Sequence, residues 1–311
     1  MPYFLGIDGG GTKTTCAVGD DSRLLTTATA GSSNIVRVGE LVARESLQAS
    51  VRQACVAAGI TPAQVSRTCV GGSGAGRPEL AAAVRGFLAE ILSSPIDVVG
   101  DMEIALDAAF DTGPGVIVIA GTGSIAFGRD TQGHTARAGG WGFAIGDEGS
   151  AHWIGRSTVA AILRASDAGP SEAERLVRGE LAKSLCKTWG VSSLLELARV
   201  ANEVPPPDFA ALFPVIAASH DELALHVLSH AGRELARTAL VVIRQLFLTD
   251  DSGPVPVAVT GSVFRHAALT RDDFYNELSR LQPGIELSPE IVEPVEGALR
   301  MARRAAASGG S

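Results

Sequence analysis

Residues 116–152 read VIVIAGTGSIAFGRDTQGHTARAGGWGFAIGDEGSAH, and this stretch decides the fold. An apolar run ends in the turn Gly-Thr-Gly-Ser at 121–124, and a second glycine cluster carries Trp141 and delivers Asp147 to a predicted helix start. Glycine permits positive φ and a close approach of the backbone to a ligand. So many glycines beside so few charged groups indicate a polar ligand, and we interpret the stretch as a phosphate-and-sugar site.

A similar pattern opens the chain. The apolar run 3–7 ends at Asp8, and Gly-Gly-Gly-Thr follows at 9–12 before a second apolar run. Both stretches are typical of hairpins in which two strands flank a glycine turn with free amides. The first turn is not a P-loop, because Thr12 stands where that motif requires lysine and no long helix follows. Two such hairpins form a weak internal repeat, which a duplicated domain would explain.

Strands and helices alternate through the rest of the chain. Pro114 between two glycines marks a hinge. We therefore predict an α/β protein with an N-terminal domain over 1–113 and a C-terminal domain over 114–293. Apolar spacing predicts helices over 40–58, after Pro78, over 149–165, over most of 171–248 and over 294–307. The helix 149–165 is predicted to be capped by Asp147 or Ser150, and the stretch 171–248 to be interrupted at Gly190 and at 205–207. Further strands are predicted at 23–28, 67–70, 96–99 and 255–259.

Composition narrows the class of protein. The chain has 311 residues, 46% of them hydrophobic and 19% charged, which suits an ordinary folded protein of two domains. The net charge of −8 argues against a nucleic-acid partner. The apolar runs are too short to span a membrane, and the N-terminus lacks the basic region of a secretory signal. Four scattered cysteines are typical of free thiols in a reducing compartment, so we expect a cytoplasmic protein without a metal cluster.

Two aspartates are candidates for phosphoryl-transfer chemistry. Asp8 could hold magnesium while amides of the adjacent turn cradle phosphates, although a D-G aspartate can also simply cap a turn. Asp101 follows the strand 96–99, at the end where open α/β sheets bind ligands. It could act as a general base on an attacking hydroxyl, or it could cap the helix that follows.

Trp141 and Asp147 point to a sugar. A carboxylate beside an aromatic ring suits a ligand with an apolar face and hydroxyl groups. The alternative is that Trp141 fills a hydrophobic gap and that Glu148 is a charge at a helix start.

Together, residues 8–15, Asp101, 121–124, 139–153 and 260–262 resemble the N-acetylglucosamine kinase family, within the larger group of BadF/BadG/BcrA/BcrD-type ATPases. The resemblance covers essentially the whole chain and is sharpest over 139–153. It implies the actin-like (ribonuclease H-like) fold, with two α/β domains around a central cleft. It also implies that the helix 294–307 packs back on the first domain, and that the protein forms a homodimer.

The resemblance also assigns roles to individual residues. It implies that ATP is bound by Asp8, Gly10, Gly11, Thr12, Thr122, Gly261 and Ser262, with Asp8 holding Mg²⁺. It implies that the sugar is bound by Asn34, Asp101, Ser124, Ile125, Gly140, Trp141, Gly142 and Asp147, with Asp101 as the base. Ile125 is a departure, because the eukaryotic enzyme has a polar residue there.

We therefore predict an ATP-dependent kinase acting on the 6-hydroxyl of N-acetylglucosamine or a close amino sugar. A glucosamine kinase is the nearest alternative. A non-sugar ATPase that activates a partner protein is another, although the cysteine spacing lacks the cluster-binding pattern of those activators. A sugar-sensing regulator is disfavoured by the retained Asp101 and by both glycine turns.

Overall fold

The structure is a computed structural model and describes residues 2–247 and 253–308. The chain divides into two compact units, Met1–Ile117 with Val292–Ser311, and Val118–Ile291. In chain order the elements are β1 (Tyr3–Gly9), β2 (Thr14–Gly19), β3 (Leu24–Ala30), α1 (Ile35–Ala57), β4 (Val65–Gly72), α2 (Pro78–Ala89), β5 (Ile96–Gly100), α3 (Asp101–Phe110), β6 (Gly115–Ala120), β7 (Ser124–Arg129), β8 (Thr135–Gly139), α4 (Ala151–Ser166), α5 (Pro170–Arg178), α6 (Glu180–Trp189), α7 (Leu194–Ala201), α8 (Phe213–Ala217), α9 (Glu222–Phe247), β9 (Val255–Thr260), α10 (Ser262–His266), α11 (Ala268–Leu281), β10 (Ile285–Ile291) and α12 (Pro294–Ser308), with short 3₁₀ helices at Pro62–Gln64 and Phe209–Leu212.

The first unit is a sheet in the order β3-β2-β1-β4-β5 with helices on both faces. Because side chains alternate across a strand, Leu5 and Ile7 of β1 pack toward α1 and α2, while Phe4 packs toward α3 and α12. Strands β1, β4 and β5 are parallel, and Asp8 lies opposite Gly71 while Gly72 lies opposite Gly100. The carboxyl ends of these three strands therefore share one edge of the sheet.

Helix α12 packs on α3 and β1 at very short range. A Cβ on Gly297 would lie 2.0 Å from the Ile104 carbonyl oxygen, and one on Gly6 would lie 2.3 Å from the Leu299 nitrogen. Arg304 pairs with the buried Asp107 on α3. The final helix is thus part of the first unit.

The β2–β3 turn is held by Asp20. Its Oδ1 accepts hydrogen bonds from the Ser22 and Arg23 amides, each 2.9 Å long. These backbone donors lower the pKa of Asp20 to about 2. Arg303 of α12 donates to the backbone oxygens of Asp20 and Arg23, at 2.7 and 2.8 Å, so the turn also anchors the last helix.

We expect Asp20→Asn to lower the free energy of unfolding at neutral pH. The folded-state pKa lies below the unfolded value of about 3.9, so the ionised carboxylate contributes stability above about pH 4 and loses it toward about pH 2. Urea unfolding at several pH values should show the gap to wild type closing in that range. Asp21→Asn, at the exposed neighbouring position, is the control. Equal losses in both variants would contradict the role of Asp20.

The second unit is built on a sheet in the order β10-β9-β6-β7-β8. The long helix α9 packs against β7, β8, α4 and α11. Ser150 Oγ accepts a hydrogen bond from the Trp153 amide at 3.1 Å and so caps α4. Of the two predicted caps, Asp147 and Ser150, the structure therefore has Ser150. Helix α6 ends at Gly190, which has the left-handed conformation, so the helix is interrupted where the sequence predicted a break.

Several boundaries differ from the sequence expectations. Helix α1 begins at Ile35 rather than at residue 40, because Asn34 caps it and the chain continues through a kink at Gly39, where φ is +79°. Strands β8 and β10 and helices α10 and α11 were not predicted; β8 is short and polar, and β10 contains Pro289. Residue 248, the end of the predicted helical stretch, lies outside the described residues.

Within residues 2–247 and 253–308, no single helix is long and apolar enough to cross a membrane. The segments Phe209–Ala217 and Glu222–Phe247 meet that criterion only as a pair bent by 110°. Cys16, Cys55 and Cys69 are buried free thiols, and Cys186 is partly buried and also free.

Candidate active site

The shared sheet edge of the first unit carries Asp8, Ser73 and Asp101. Asp101 follows β5 as the first residue of α3, and Gly100 is the N-cap, so the prediction that Asp101 could be the helix cap is wrong. The Asp101 Oδ2 accepts from the Ser73 hydroxyl at 2.7 Å, and Oδ1 accepts from the Met102 amide at 3.0 Å. Two donors therefore fix the orientation of this carboxylate.

Asp8 is a half-buried carboxylate near a second negative charge. Burial and, to a smaller extent, the negative charge of Asp101 raise the pKa of Asp8 to about 7, although Lys13 partly opposes the shift. A group in this position favours either a proton or a cation beside it. The donor set therefore fits a divalent cation.

The described residues contain no group of three or more His, Cys, Asp or Glu that could hold a metal ion. Magnesium is commonly held by one or two carboxylates together with water and substrate phosphates, so a magnesium site does not require such a group. The lack of such a group among the described residues does not suit a site in which the protein alone provides every ligand.

The first glycine turn is tied to the loop before α1. The Gly10 amide donates to the Lys13 carbonyl at 3.0 Å, and Ser32 Oγ donates to the Gly10 carbonyl at 3.2 Å. Gly11 is partly buried, and Thr12 at the tip is exposed. Asn34, in the same loop, accepts from the Arg37 amide at 3.2 Å through Oδ1, so its side chain also caps α1.

In the second unit, Asp147 joins the glycine turn at 121–124 to the tryptophan loop. It is only 8% exposed and has a φ of +62°, a conformation that residues other than glycine rarely adopt. Burial raises the pKa of Asp147, and hydrogen bonds from the Gly142 and Ser124 amides oppose that shift. A Cβ on Gly123 would lie 2.9 Å from Asp147 Oδ2, so glycine is required for this approach.

Ser124 and Gly140 help to hold this arrangement. Ser124 Oγ donates to the Glu148 carbonyl at 2.7 Å, and the Gly140 amide donates to the Ser124 carbonyl at 3.0 Å. Ile125 pairs with Gly139 between β7 and β8, and a Cβ on Gly140 would lie 2.8 Å from Ile125 Cδ1. These predicted sugar residues therefore form one packed group.

Trp141 lies on the surface of the second unit. Its side chain is 68% exposed, and the Arg137 guanidinium lies 4.9 Å from the ring centroid. Phe143 and Ile145 in the same loop are also exposed. The alternative in which Trp141 plugs a hydrophobic gap is wrong.

The second glycine turn is anchored on α4, and a third turn packs beside it. The Ala151 amide donates to the Gly121 carbonyl at 2.8 Å, and the His152 amide donates to the Thr122 carbonyl at 3.4 Å. Gly261 has a φ of +107°, and a Cβ there would lie 2.2 Å from the Ala120 carbonyl oxygen. The turns that carry Thr122, Gly261 and Ser262 are therefore neighbours.

The predicted site residues fall into two groups. One group lies at the edge of the first unit: Asp8, Gly10, Gly11, Thr12, Asn34 and Asp101. The other lies around the turns of the second unit: Thr122, Ser124, Ile125, Gly140, Trp141, Gly142, Asp147, Gly261 and Ser262. Sequence reasoning missed Ser73, although the glycine cluster at 71–76 directly after a strand was the available signal.

Each of the two units is a five-stranded sheet with helices and a glycine turn, so the chain has the predicted fold class, the actin-like fold of two α/β domains. The chain belongs to the BadF/BadG/BcrA/BcrD ATPase family, whose profile matches residues 5–302.

Two relatives are similar over nearly the whole chain. The N-acetylmuramic acid/N-acetylglucosamine kinase of Clostridium acetobutylicum is 29% identical over 308 residues, covering 97% of this chain and 99% of that protein. The N-acetyl-D-glucosamine kinase of Dictyostelium discoideum is 30% identical over 317 aligned positions, covering 96% of this chain and 97% of that protein. Among solved structures, a protein described as a candidate N-acetylglucosamine kinase from Chromobacterium violaceum has a TM-score of 0.75 at 24% identity. The match covers 97% of this chain and 99% of that protein.

Proposed function

We propose that this protein is an ATP-dependent kinase that phosphorylates the 6-hydroxyl of N-acetylglucosamine or a close amino sugar. The observation that carries the proposal is the Asp101 carboxylate, which is oriented by Ser73 and Met102 and lies at the same sheet edge as the half-buried Asp8. The names of the two relatives, both kinases of N-acetylated amino sugars, support the substrate class.

Asp101 is the proposed general base. One carboxylate oxygen takes the proton from the attacking sugar hydroxyl, while the Ser73 hydroxyl and the Met102 amide keep the carboxylate in position. Phosphoryl transfer needs little more covalent help than this, because positioning and charge neutralisation provide most of the catalysis.

ATP is proposed to bind along the glycine turns. The exposed tip of the first turn, with Gly11 and Thr12, and the turn at Thr122 offer amides and hydroxyls to phosphate oxygens. Gly261 and Ser262 contact the adenosine part. Asp8 would hold Mg²⁺, and the ion would supply neutralisation of the phosphate charge.

The sugar is proposed to bind at Asp147 and Trp141. Asp147 accepts hydrogen bonds from sugar hydroxyls, and its position is fixed by the Gly142 and Ser124 amides. The exposed indole of Trp141 provides an apolar surface for the sugar ring.

Asp147→Asn should raise KM for the sugar at least about tenfold, since one charge-assisted hydrogen bond is worth about 1.5–3 kcal/mol. Asparagine tolerates positive φ, so the loop conformation should persist and the change should report on the charge. KM for ATP should stay near the wild-type value. Asp130→Asn, which alters the β7–β8 turn and lies outside the predicted sugar-binding residues, is the control. An unchanged sugar KM in Asp147→Asn would exclude the proposed contact.

A panel of sugars in a coupled assay of ADP release, with ATP and magnesium, tests the proposed function. We expect turnover with N-acetylglucosamine and a sugar phosphate as product, identified by mass spectrometry and NMR. Equal turnover with glucosamine would favour the glucosamine kinase. Hydrolysis of ATP that does not depend on any sugar would contradict the proposal and favour an ATPase acting on a partner protein.

A further inference from the structure

A cavity in the second unit runs along one face of α4. Its volume is about 430 Å³, within the range of about 300–1,000 Å³ that small-molecule pockets occupy. Asn202 at the end of α7 lines the cavity, and α4 contributes five residues at helical spacing: His152, Arg156, Val159, Ala160 and Leu163. These positions span about 16 Å of helix, so the cavity has room for a ligand of its own.

The cavity is distinct from the sites proposed for the sugar and for ATP. None of the residues assigned to either ligand lines it. It adjoins the sugar site through Phe143, which follows Trp141 and Gly142 in the chain and precedes Asp147. A molecule in the cavity would therefore contact the segment that carries these residues without taking the place of the sugar.

Aromatic rings form much of the wall. The ring of His152, a residue that is 9% exposed, has its centroid 5.0 Å from that of Phe143 and 5.3 Å from that of Phe209. Val159 and Leu163 add aliphatic surface. Phe143 is 49% exposed in the unbound protein. A ligand with an apolar body would remove this ring from water, which is favourable.

Arg156 gives the cavity a positive charge. Its side chain is exposed, and within residues 2–247 and 253–308 it makes no hydrogen bond or ion pair. The described residues that line the cavity include no aspartate or glutamate. Asn202 already donates its Nδ2 to the Ala198 carbonyl at 2.8 Å. The guanidinium, with five N–H donors and no acceptor, is therefore available to a ligand.

A guanidinium beside aromatic walls favours an organic carboxylate. Arginine holds a carboxylate through two parallel hydrogen bonds, which are stronger than bonds between neutral groups. One guanidinium offsets one negative charge, whereas a phosphate monoester carries a charge of about −1.5 to −2 at pH 7. A protonated amine would meet the Arg156 charge without a described carboxylate to offset it. A monocarboxylate is thus the best match.

We propose that this cavity is a second ligand site, which binds a small monocarboxylate with an apolar or aromatic body. The carboxylate pairs with Arg156, and the body packs against Phe143, Phe209 and Leu163. Binding at this site does not depend on the proposed kinase function, because the ligand contacts neither Asp101 nor the glycine turns.

Binding of 3-phenylpropionate to the full-length protein, measured by ligand-detected NMR titration, tests the site. It should bind at least about fivefold more tightly than 3-phenylpropanamide, which has the same shape without the charge. Acetate, which keeps the charge and lacks the body, should bind at least about tenfold more weakly, because each buried methylene contributes about fourfold in affinity. Phenyl phosphate should bind no more tightly than 3-phenylpropionate.

Two variants locate the binding. Arg156→Gln should weaken binding of 3-phenylpropionate about fivefold and leave that of the amide unchanged. Arg164→Gln is the matched control, because Arg164 is an exposed arginine of the same helix outside the lining, and it should keep the wild-type affinity. Ala160→Phe places a ring in the cavity from an exposed position on α4 and should weaken binding of both probes at least about tenfold. All three variants should melt near the wild-type temperature.

Several results would overturn the carboxylate site. They are the absence of 3-phenylpropionate binding, equal affinities for the acid and its amide, tighter binding of phenyl phosphate, or equal effects of Arg156→Gln and Arg164→Gln. Displacement of 3-phenylpropionate by saturating N-acetylglucosamine would also overturn it, because the cavity would then be part of the sugar site. Arg156-dependent binding in a protein that transfers phosphate to no sugar would support this site while contradicting the kinase function.

Discussion

Asp101→Asn should lower kcat by at least about a hundredfold while the protein still binds the sugar, the usual scale for loss of a general base. The amide keeps the size of the carboxylate. Its oxygen can still accept from the Met102 amide, and its NH2 group can donate to the Ser73 hydroxyl oxygen, so the change removes basicity with little change in packing. The coupled assay of ADP release gives kcat, and calorimetry with N-acetylglucosamine gives the binding constant.

Asp97→Asn is the matched control, four residues earlier on β5. Its carboxylate pairs with Arg67 at 2.8 Å and is partly exposed, so the variant should lose little stability and keep its kcat. Near-normal turnover in Asp101→Asn would exclude Asp101 as the base. Loss of sugar binding together with turnover would instead assign Asp101 to substrate binding.

Gly297→Ala should lower the free energy of unfolding by about 3 kcal/mol or more, at the upper end of the overpacking range. The new Cβ would lie 2.0 Å from the Ile104 carbonyl oxygen and 2.6 Å from the Ala108 nitrogen. Both neighbours belong to the backbone of α3, so α12 has to move away from α3 to relieve the clash. Urea unfolding followed by circular dichroism measures the loss, and a fall in soluble expression should accompany it.

Gly86→Ala provides the opposite expectation. Gly86 lies inside α2, and a Cβ there would meet no atom within 4 Å. The substitution should stabilise the protein by about 0.5–1 kcal/mol, because alanine favours the helix and loses less entropy on folding. A Gly297→Ala variant as stable as wild type would show that the contact between α12 and α3 is not rigid.

Local chemistry made much of the first unit predictable. Apolar runs that end in glycine turns identified both hairpins, Pro78 marked the start of α2, and the order of strands and helices gave an α/β class. The same reasoning identified Asp8 and Asp101 as candidate site residues, because the residues at the carboxyl ends of parallel strands lie at a common edge of the sheet. The return of α12 came from the family resemblance rather than from any local pattern.

The elements missed from the sequence have weak local signals. Strand β8 is five residues long and carries Arg137, and β10 contains Pro289. Each lies at an edge of the second sheet, where pairing with one neighbour compensates for poor strand propensity. Hydrophobic periodicity cannot be read from a few polar residues, so it does not indicate that these segments pair with a neighbouring strand.

The sequence by itself determined the family, the fold class and which aspartates follow which strands, because glycine turns, caps and apolar periodicity act over a few neighbouring residues. Only the tertiary structure decided that Ser73 orients Asp101, that Asp147 lies against Gly123, and that Arg156 and Phe143 line one cavity along α4. These contacts join segments that are far apart along the chain or depend on side-chain packing. Their distances follow from strand register and helix packing, which no local pattern encodes.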